Sequence, residues 1–153
     1  MLDGALCSAK YFTTALAAIG VRHWMQIYPF KDRDNLAAIV RRAEQAGSEA
    51  IVPTTDASVF GNREWDRRNY RAPMKLTARD LWPRKLLVKG VLLPEDAVRA
   101  QEAGADGVVV SNHGGRQLDN APAPIETLAA VRAAVGAEMT VIVDSGFRRG
   151  SDF

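Results

Sequence analysis

The sequence predicts an α/β protein whose strands run parallel, and three features predict it. Short β-branched apolar runs alternate with segments that carry apolar residues at helical spacing. Proline opens some helical segments and glycine closes others, which marks their ends. Polar residues gather where the apolar runs stop, so they fall on one edge of the expected sheet.

The elements follow in order. Thr13 to Ile19 is alanine-rich and reads as a short helix. Trp24-Met25-Gln26-Ile27-Tyr28 reads as a strand stopped by Pro29. Asp34 stands where an N-cap belongs, Leu36, Ile39, Val40 and Ala43 follow at helical spacing, and Gly47 ends the helix. Glu49 to Thr54 is a second strand that should end near its proline. Residues 55–84 form a long polar connection with Arg63, Glu64, Asp66, Arg67 and Arg68, then Pro73 and Pro83. Such a stretch is either an active-site loop or a sign of missing structure, with a short helix expected at Thr77 to Leu81. Alternation then resumes. Lys85 to Lys89 is a strand, Pro94 to Ala103 a helix closed by Gly104, and Gly107 to Val110 a strand. Pro124 opens a helix with Ile125, Leu128, Val131 and Val135 on one face, and Met139 to Val143 is the last strand.

Composition sets the outer bounds. A chain of 153 residues suffices for one domain with a real core. Hydrophobic residues at 47% and charged residues at 25% are ordinary for a globular protein. A net charge of +2 implies neither a nucleic-acid nor a membrane partner. The single cysteine, Cys7, excludes an internal disulfide and a cysteine-rich metal site. No apolar run is long enough to span a bilayer, and the start lacks a basic segment of the secretory kind, so a cytoplasmic location is expected.

The chemistry concentrates in Ser111-Asn112-His113-Gly114-Gly115-Arg116-Gln117-Leu118-Asp119, just past the apolar run 107–110. His113 offers a nitrogen that titrates near neutral pH. Its glycines allow a sharp turn and close approach of a ligand. Arg116 offers a planar fork that suits a carboxylate or phosphate. A base and an anion clamp so close together could hold and deprotonate a small acid; a surface turn whose histidine caps a carbonyl is the plainer alternative. Lys89 either snorkels to solvent or faces a ligand and stabilises negative charge. Asp56 either orients and charge-balances His113 or serves a turn. The segment Asp144-Ser145-Gly146-Phe147-Arg148-Arg149-Gly150 suits a phosphate held by backbone N–H groups, although two adjacent arginines also read as a solvated pair. Gln26, Tyr28, Thr54, Asp56, Lys89, Ser111, His113 and Asp144 all fall at carboxyl ends of expected strands.

Ser111 to Asp119, Leu87-Val88-Lys89-Gly90-Val91 and Asp144 to Asp152 together resemble the FMN-dependent α-hydroxy-acid dehydrogenase/oxidase family. The Gln26-Ile27-Tyr28 segment fits as well. Arg79-Asp80-Leu81-Trp82-Pro83, Thr54-Thr55-Asp56 and the serine of Asp144-Ser145-Gly146 point toward its (S)-mandelate and L-lactate dehydrogenase branch. The resemblance implies a (β/α)8 TIM barrel with FMN at its carboxyl rim. It implies His113 as the proton-abstracting base with Asp56 as its partner, and Tyr28 hydrogen-bonded to substrate. Arg116 and Arg63 would clamp the substrate carboxylate. Lys89 would stabilise the reduced flavin, while Gln26, Thr54 and Ser111 would contact the ring. Asp144 would hold the ribityl chain, and Gly146 and Arg148 would serve that chain and the phosphate. The implied reaction oxidises an L-2-hydroxy acid to a 2-oxo acid, with a small hydroxy acid and an electron acceptor as partners.

A full barrel needs about 250 residues. Residues 1–153 therefore read as a single incomplete domain, with about five of eight strands and a shortened 55–84 loop. The family's first two strands and last strand are expected to be missing. In mandelate dehydrogenase the long form of that loop carries the membrane-associating segment, so membrane association is not expected. A non-catalytic remnant that binds flavin or phosphate is the alternative to an active enzyme. The nucleotide dehydrogenases with similar glycine-rich turns use a catalytic cysteine, and Cys7 lies outside any rim position.

Overall fold

The computed structural model describes residues 15, 18–28, 33–56 and 78–152. Five strands form one sheet: β1 Trp24–Ile27, β2 Ala50–Pro53, β3 Lys85–Val91, β4 Gly107–Val110 and β5 Thr140–Val143. Their spatial order is their sequence order, and every neighbouring pair is parallel. Helix α1 is Arg33–Gln45, α2 Ala78–Leu81, α3 Pro94–Glu102 and α4 Pro124–Val135. A sheet that winds in one direction with helical returns is the arrangement of a barrel sector, in which all carboxyl ends lie on one rim.

Burial explains why the runs are strands. All of β2 and β4 is buried, which calls for continuous apolar sequence rather than alternation. On the helix-covered face, α1 packs Leu36, Ile39, Val40 and Ala43 with Ile27, Ile51, Trp82 and Leu86. Trp82 is fully buried, and its indole N–H donates to Lys85 O at 2.9 Å, so its polar atom is satisfied. Farther along, α3 and α4 pack Ala97, Ala100, Val131 and Val135 with Val88, Val108 and Val110. Ala50, Val52, Leu87 and Val109, of opposite parity, form a smaller cluster with Ile142. Gly107 lets β5 approach: a Cβ there would lie 2.7 Å from Thr140 O.

Several expectations shift. Asp34 lies inside the first turn of α1, which begins one residue earlier, where a negative charge suits the helix end. Ile125 is 43% exposed, because Pro124 takes the buried position of that first turn and Leu128, Val131 and Val135 continue its stripe. Strand β3 does not stop at Lys89. The register moves from Lys89↔Val109 to Val91↔Val110, so Gly90 is an extra residue, a bulge that lets pairing continue. The expected helix at 13–19 falls mostly outside the described residues, and what is described is an Ile19 N–H to Ala15 O bond of 3.3 Å. Among the described residues no helix is long and apolar enough to cross a membrane.

Candidate active site

Beyond β4 the chain makes a 3-10 turn, His113–Gly115, with His113, Gly114 and Gly115 all at positive φ. A non-glycine residue there is uncommon and must be held. Asn112 Oδ1 accepts from Gly115 N at 3.1 Å, and Ser111 Oγ accepts from His113 N at 3.1 Å. The imidazole Nδ1 sits 3.0 Å from Asp56 Oδ1, with the two side chains only 14% and 11% exposed. Asp56 reaches that position from the end of β2 because Gly90 has no side chain. A Cβ on Gly90 would lie 2.5 Å from Asp56 Cβ and Cγ and 2.7 Å from its nitrogen.

A second group adjoins the first. Lys89 Nζ donates to Ser111 Oγ at 2.7 Å and to Asp144 Oδ2 in an ion pair. Ser145 donates to the other carboxylate oxygen, Oδ1, at 2.9 Å. Burial raises the Asp144 carboxyl, but hydrogen bonds from Lys89, Ser111 and Ser145, with the lysine charge, outweigh it and hold the group below its ordinary value. Ser111 is fully buried and touches both groups, so Asp56, His113, Ser111, Lys89 and Asp144 form one connected network. Alongside it, Gln26 Nε2 donates to Thr54 Oγ1 at 3.0 Å. The Tyr28 ring centroid lies 6.5 Å from that of His113.

The arginines differ from these. Arg116 follows the turn, exposed, with no hydrogen bond or ion pair to another described residue. Arg148 is exposed too, and its backbone N–H and that of Arg149 donate to Asp152 Oδ2 at 2.6 and 2.8 Å. Those two bonds hold the Asp152 carboxyl below its usual range. The expected cradle of backbone N–H groups for a phosphate is thus partly filled by an internal carboxylate. Gly146, at φ +96 with open space where a Cβ would be, and the Arg148 side chain remain for an anion. Arg63 lies outside the described residues.

A histidine–carboxylate pair and a lysine thus stand together on the carboxyl rim of a singly wound parallel sheet, where (β/α)8 barrels gather their catalytic groups, with five strands among the described residues. The chain belongs to the FMN-dependent dehydrogenase family, whose sequence pattern matches residues 5–82 and 77–153. It is 36% identical to peroxisomal (S)-2-hydroxyacid oxidase GLO3 of Arabidopsis thaliana, over 99% of this chain and 52% of that protein. It is 39% identical to 4-hydroxymandelate oxidase of Amycolatopsis orientalis, over 90% of this chain and 49% of the relative. A crystal structure of mandelate oxidase superposes with a TM-score of 0.81 at 39% identity, covering 92% of this chain and 48% of that one. The chain therefore spans about half the length of the curated relatives it matches.

The donors present fit FMN. The Lys89 ammonium has three N–H donors and uses two, and the exposed Gln26 amide keeps its carbonyl and one N–H for the polar edge of a flavin ring. Gly146 and Arg148 provide room and charge for a phosphate. Sequence reasoning missed what Ser145, Gly90 and Asn112 do. A glycine inside an apolar strand was the available sign of a bulge, and an asparagine three residues before a glycine was the available sign of the local cap; the Ser145 role depends on a contact distant in sequence.

Proposed function

We propose that this chain carries the proton-abstracting and flavin-facing part of an FMN-dependent oxidation of an L-2-hydroxy acid, mandelate- or lactate-like, to the 2-oxo acid. The observation that carries the reading is the 3.0 Å contact of His113 Nδ1 with Asp56 Oδ1 on the same rim as Lys89. A carboxylate can only accept, so Nδ1 bears the hydrogen and Nε2 keeps a lone pair for a substrate proton. Asp56 then balances the imidazolium that forms. Tyr28 stands beside the imidazole and hydrogen-bonds the substrate. Arg116, with Arg63, receives the substrate carboxylate in a forked geometry. FMN, when bound, supplies the acceptor for the two electrons released as hydroxy acid becomes oxo acid. Lys89, held by Asp144 and Ser111, faces the place where negative charge builds up and stabilises it. Gln26, Thr54 and Ser111 contact the ring, Asp144 the ribityl chain, and Gly146 and Arg148 that chain and the phosphate.

Relatives named for mandelate, lactate and 2-hydroxyacid oxidation support the substrate class. A second reading is a remnant that binds flavin or phosphate without turnover, and the Asp152 carboxylate that fills part of the expected phosphate cradle favours it. Purified protein mixed anaerobically with (S)-mandelate or L-lactate separates them. Bleaching of a co-purified flavin band supports the enzyme; a bound flavin that stays oxidised supports the remnant. A colourless protein that takes up no added FMN overturns both.

A further inference from the structure

We propose that Ser145 is a positioning residue that couples the Lys89–Asp144 ion pair to the turn carrying His113. The inference rests on the reading of His113 as the base. Ser145 follows Asp144 at the end of β5 and has φ +74. Glycine takes that conformation without strain, whereas a residue with a Cβ does not. What serine adds is a hydroxyl with two partners. It donates to Asp144 Oδ1 at 2.9 Å and accepts from Gly114 N at 3.0 Å. Both directions are fixed by chemistry, because a carboxylate only accepts here and an amide N–H only donates.

The consequence is a paired clamp. Ser111 Oγ accepts from Lys89 Nζ and from His113 N, while Ser145 Oγ joins Asp144 to the next N–H, that of Gly114. His113 and Gly114 are consecutive left-handed residues, and each has its N–H tied to a serine that also contacts the ion pair. Ser111 alone holds the peptide that enters His113, whose N–H it accepts from, and leaves the peptide that follows free to rotate. With Ser145 holding the Gly114 N–H, both peptides that flank the His113 Cα are tied, and with them the direction in which the imidazole leaves the backbone toward Asp56.

The test uses the whole 153-residue chain, labelled with nitrogen-15, as wild type and as Ser145→Ala and Ser145→Gly. The alanine variant keeps the backbone strain and loses the hydroxyl; the glycine variant loses both, so its fold is not placed at risk. In both, Gly114 amide exchange is expected to speed up about tenfold, the factor for one lost hydrogen bond. The Nδ1 proton signal of His113 should broaden or vanish, while Val108 and Val110 amides stay protected. Unchanged Gly114 and His113 signals in both variants would overturn the proposal. So would loss of protection that spreads to Val108 and Val110 in both, since that marks a general structural role. No flavin or substrate enters these measurements, so their failure is distinct from failure of the proposed reaction.

Discussion

The two rims of the sheet handle charge in opposite ways. At the amino rim, Asp106 before β4 accepts from Arg79 at 3.0 Å, from Lys85 at 3.0 Å and from Leu86 N at 3.0 Å. Arg84 donates to Ser48 O and lies 5.7 Å over the Trp82 ring, and Arg22 pairs with Glu49. Each of these charges meets a neighbour that fixes a loop or a strand start. At the carboxyl rim the partners are arranged around groups with spare capacity: a histidine held by one nitrogen, an ammonium with a donor to spare, and exposed arginines. The contrast teaches that a count of ion pairs does not separate support from chemistry. What separates them is what the bonds hold: loops and strand starts at one rim, an imidazole and a largely buried ammonium in one network at the other.

The sharpest way to break the contrast is His113→Gln. Flavin reduction by substrate in stopped-flow should slow by about 10²–10⁴-fold, the range for losing a positioned base, with little change in the urea midpoint. Next comes Gly90→Ala, which places a methyl 2.5 Å from Asp56 Cγ at φ +99. It should cost about 1–3 kcal/mol in urea unfolding, as other strained insertions do, and should separate Asp56 from His113. Smaller again is Asp106→Ala on the opposite rim, with about 1–2 kcal/mol lost after allowing for its partly exposed lysine and arginine partners. Substrate reduction of flavin should be unaffected by it.

Asp106 also makes a pH prediction. Burial raises its carboxyl, but the Leu86 N–H, Lys85 and Arg79 together bring it below the ordinary value. A depressed folded-state value means that the stabilisation is present above the unfolded carboxylate value and is lost as pH falls through the folded one. Urea midpoints measured from neutral pH downward should therefore decline on the acid side less steeply in Asp106→Asn than in wild type. The smallest effect belongs to Arg22→Ala. Its pair with Glu49 is largely in solvent, and the urea midpoint should not move measurably. A clear shift there would weaken the view that the amino rim is held by the Asp106 cluster.

Much of this was legible in the sequence, for a physical reason. A strand buried on both faces must be apolar to its end, so the first polar residue beyond it declares itself, as Thr54 and Ser111 do; Asp144 stands out in the same way after β5, which is only half-buried. His113 and Asp56 were paired by type before the contact was known. Part of what was hidden depends on partners far apart in the chain, such as Ser145 with Gly114. Arg148 and Asp152 are only four residues apart, and there it is the 3-10 turn Gly150–Asp152 that brings the carboxylate back onto the Arg148 N–H. Ile125 was misplaced by one residue of helical phase because proline is seldom counted as the buried position. Arg63 and most of the 55–84 connection lie outside the described residues.

The extra residue in β3 has one more consequence. Val88 and Val91 lie three apart yet pack in one cluster with Val108 and Val110, which lie two apart, so the bulge adds a residue of length without turning Val91 over. The additional length therefore costs the sheet no alternation, and what it supplies is the gap beside Gly90 into which Asp56 fits.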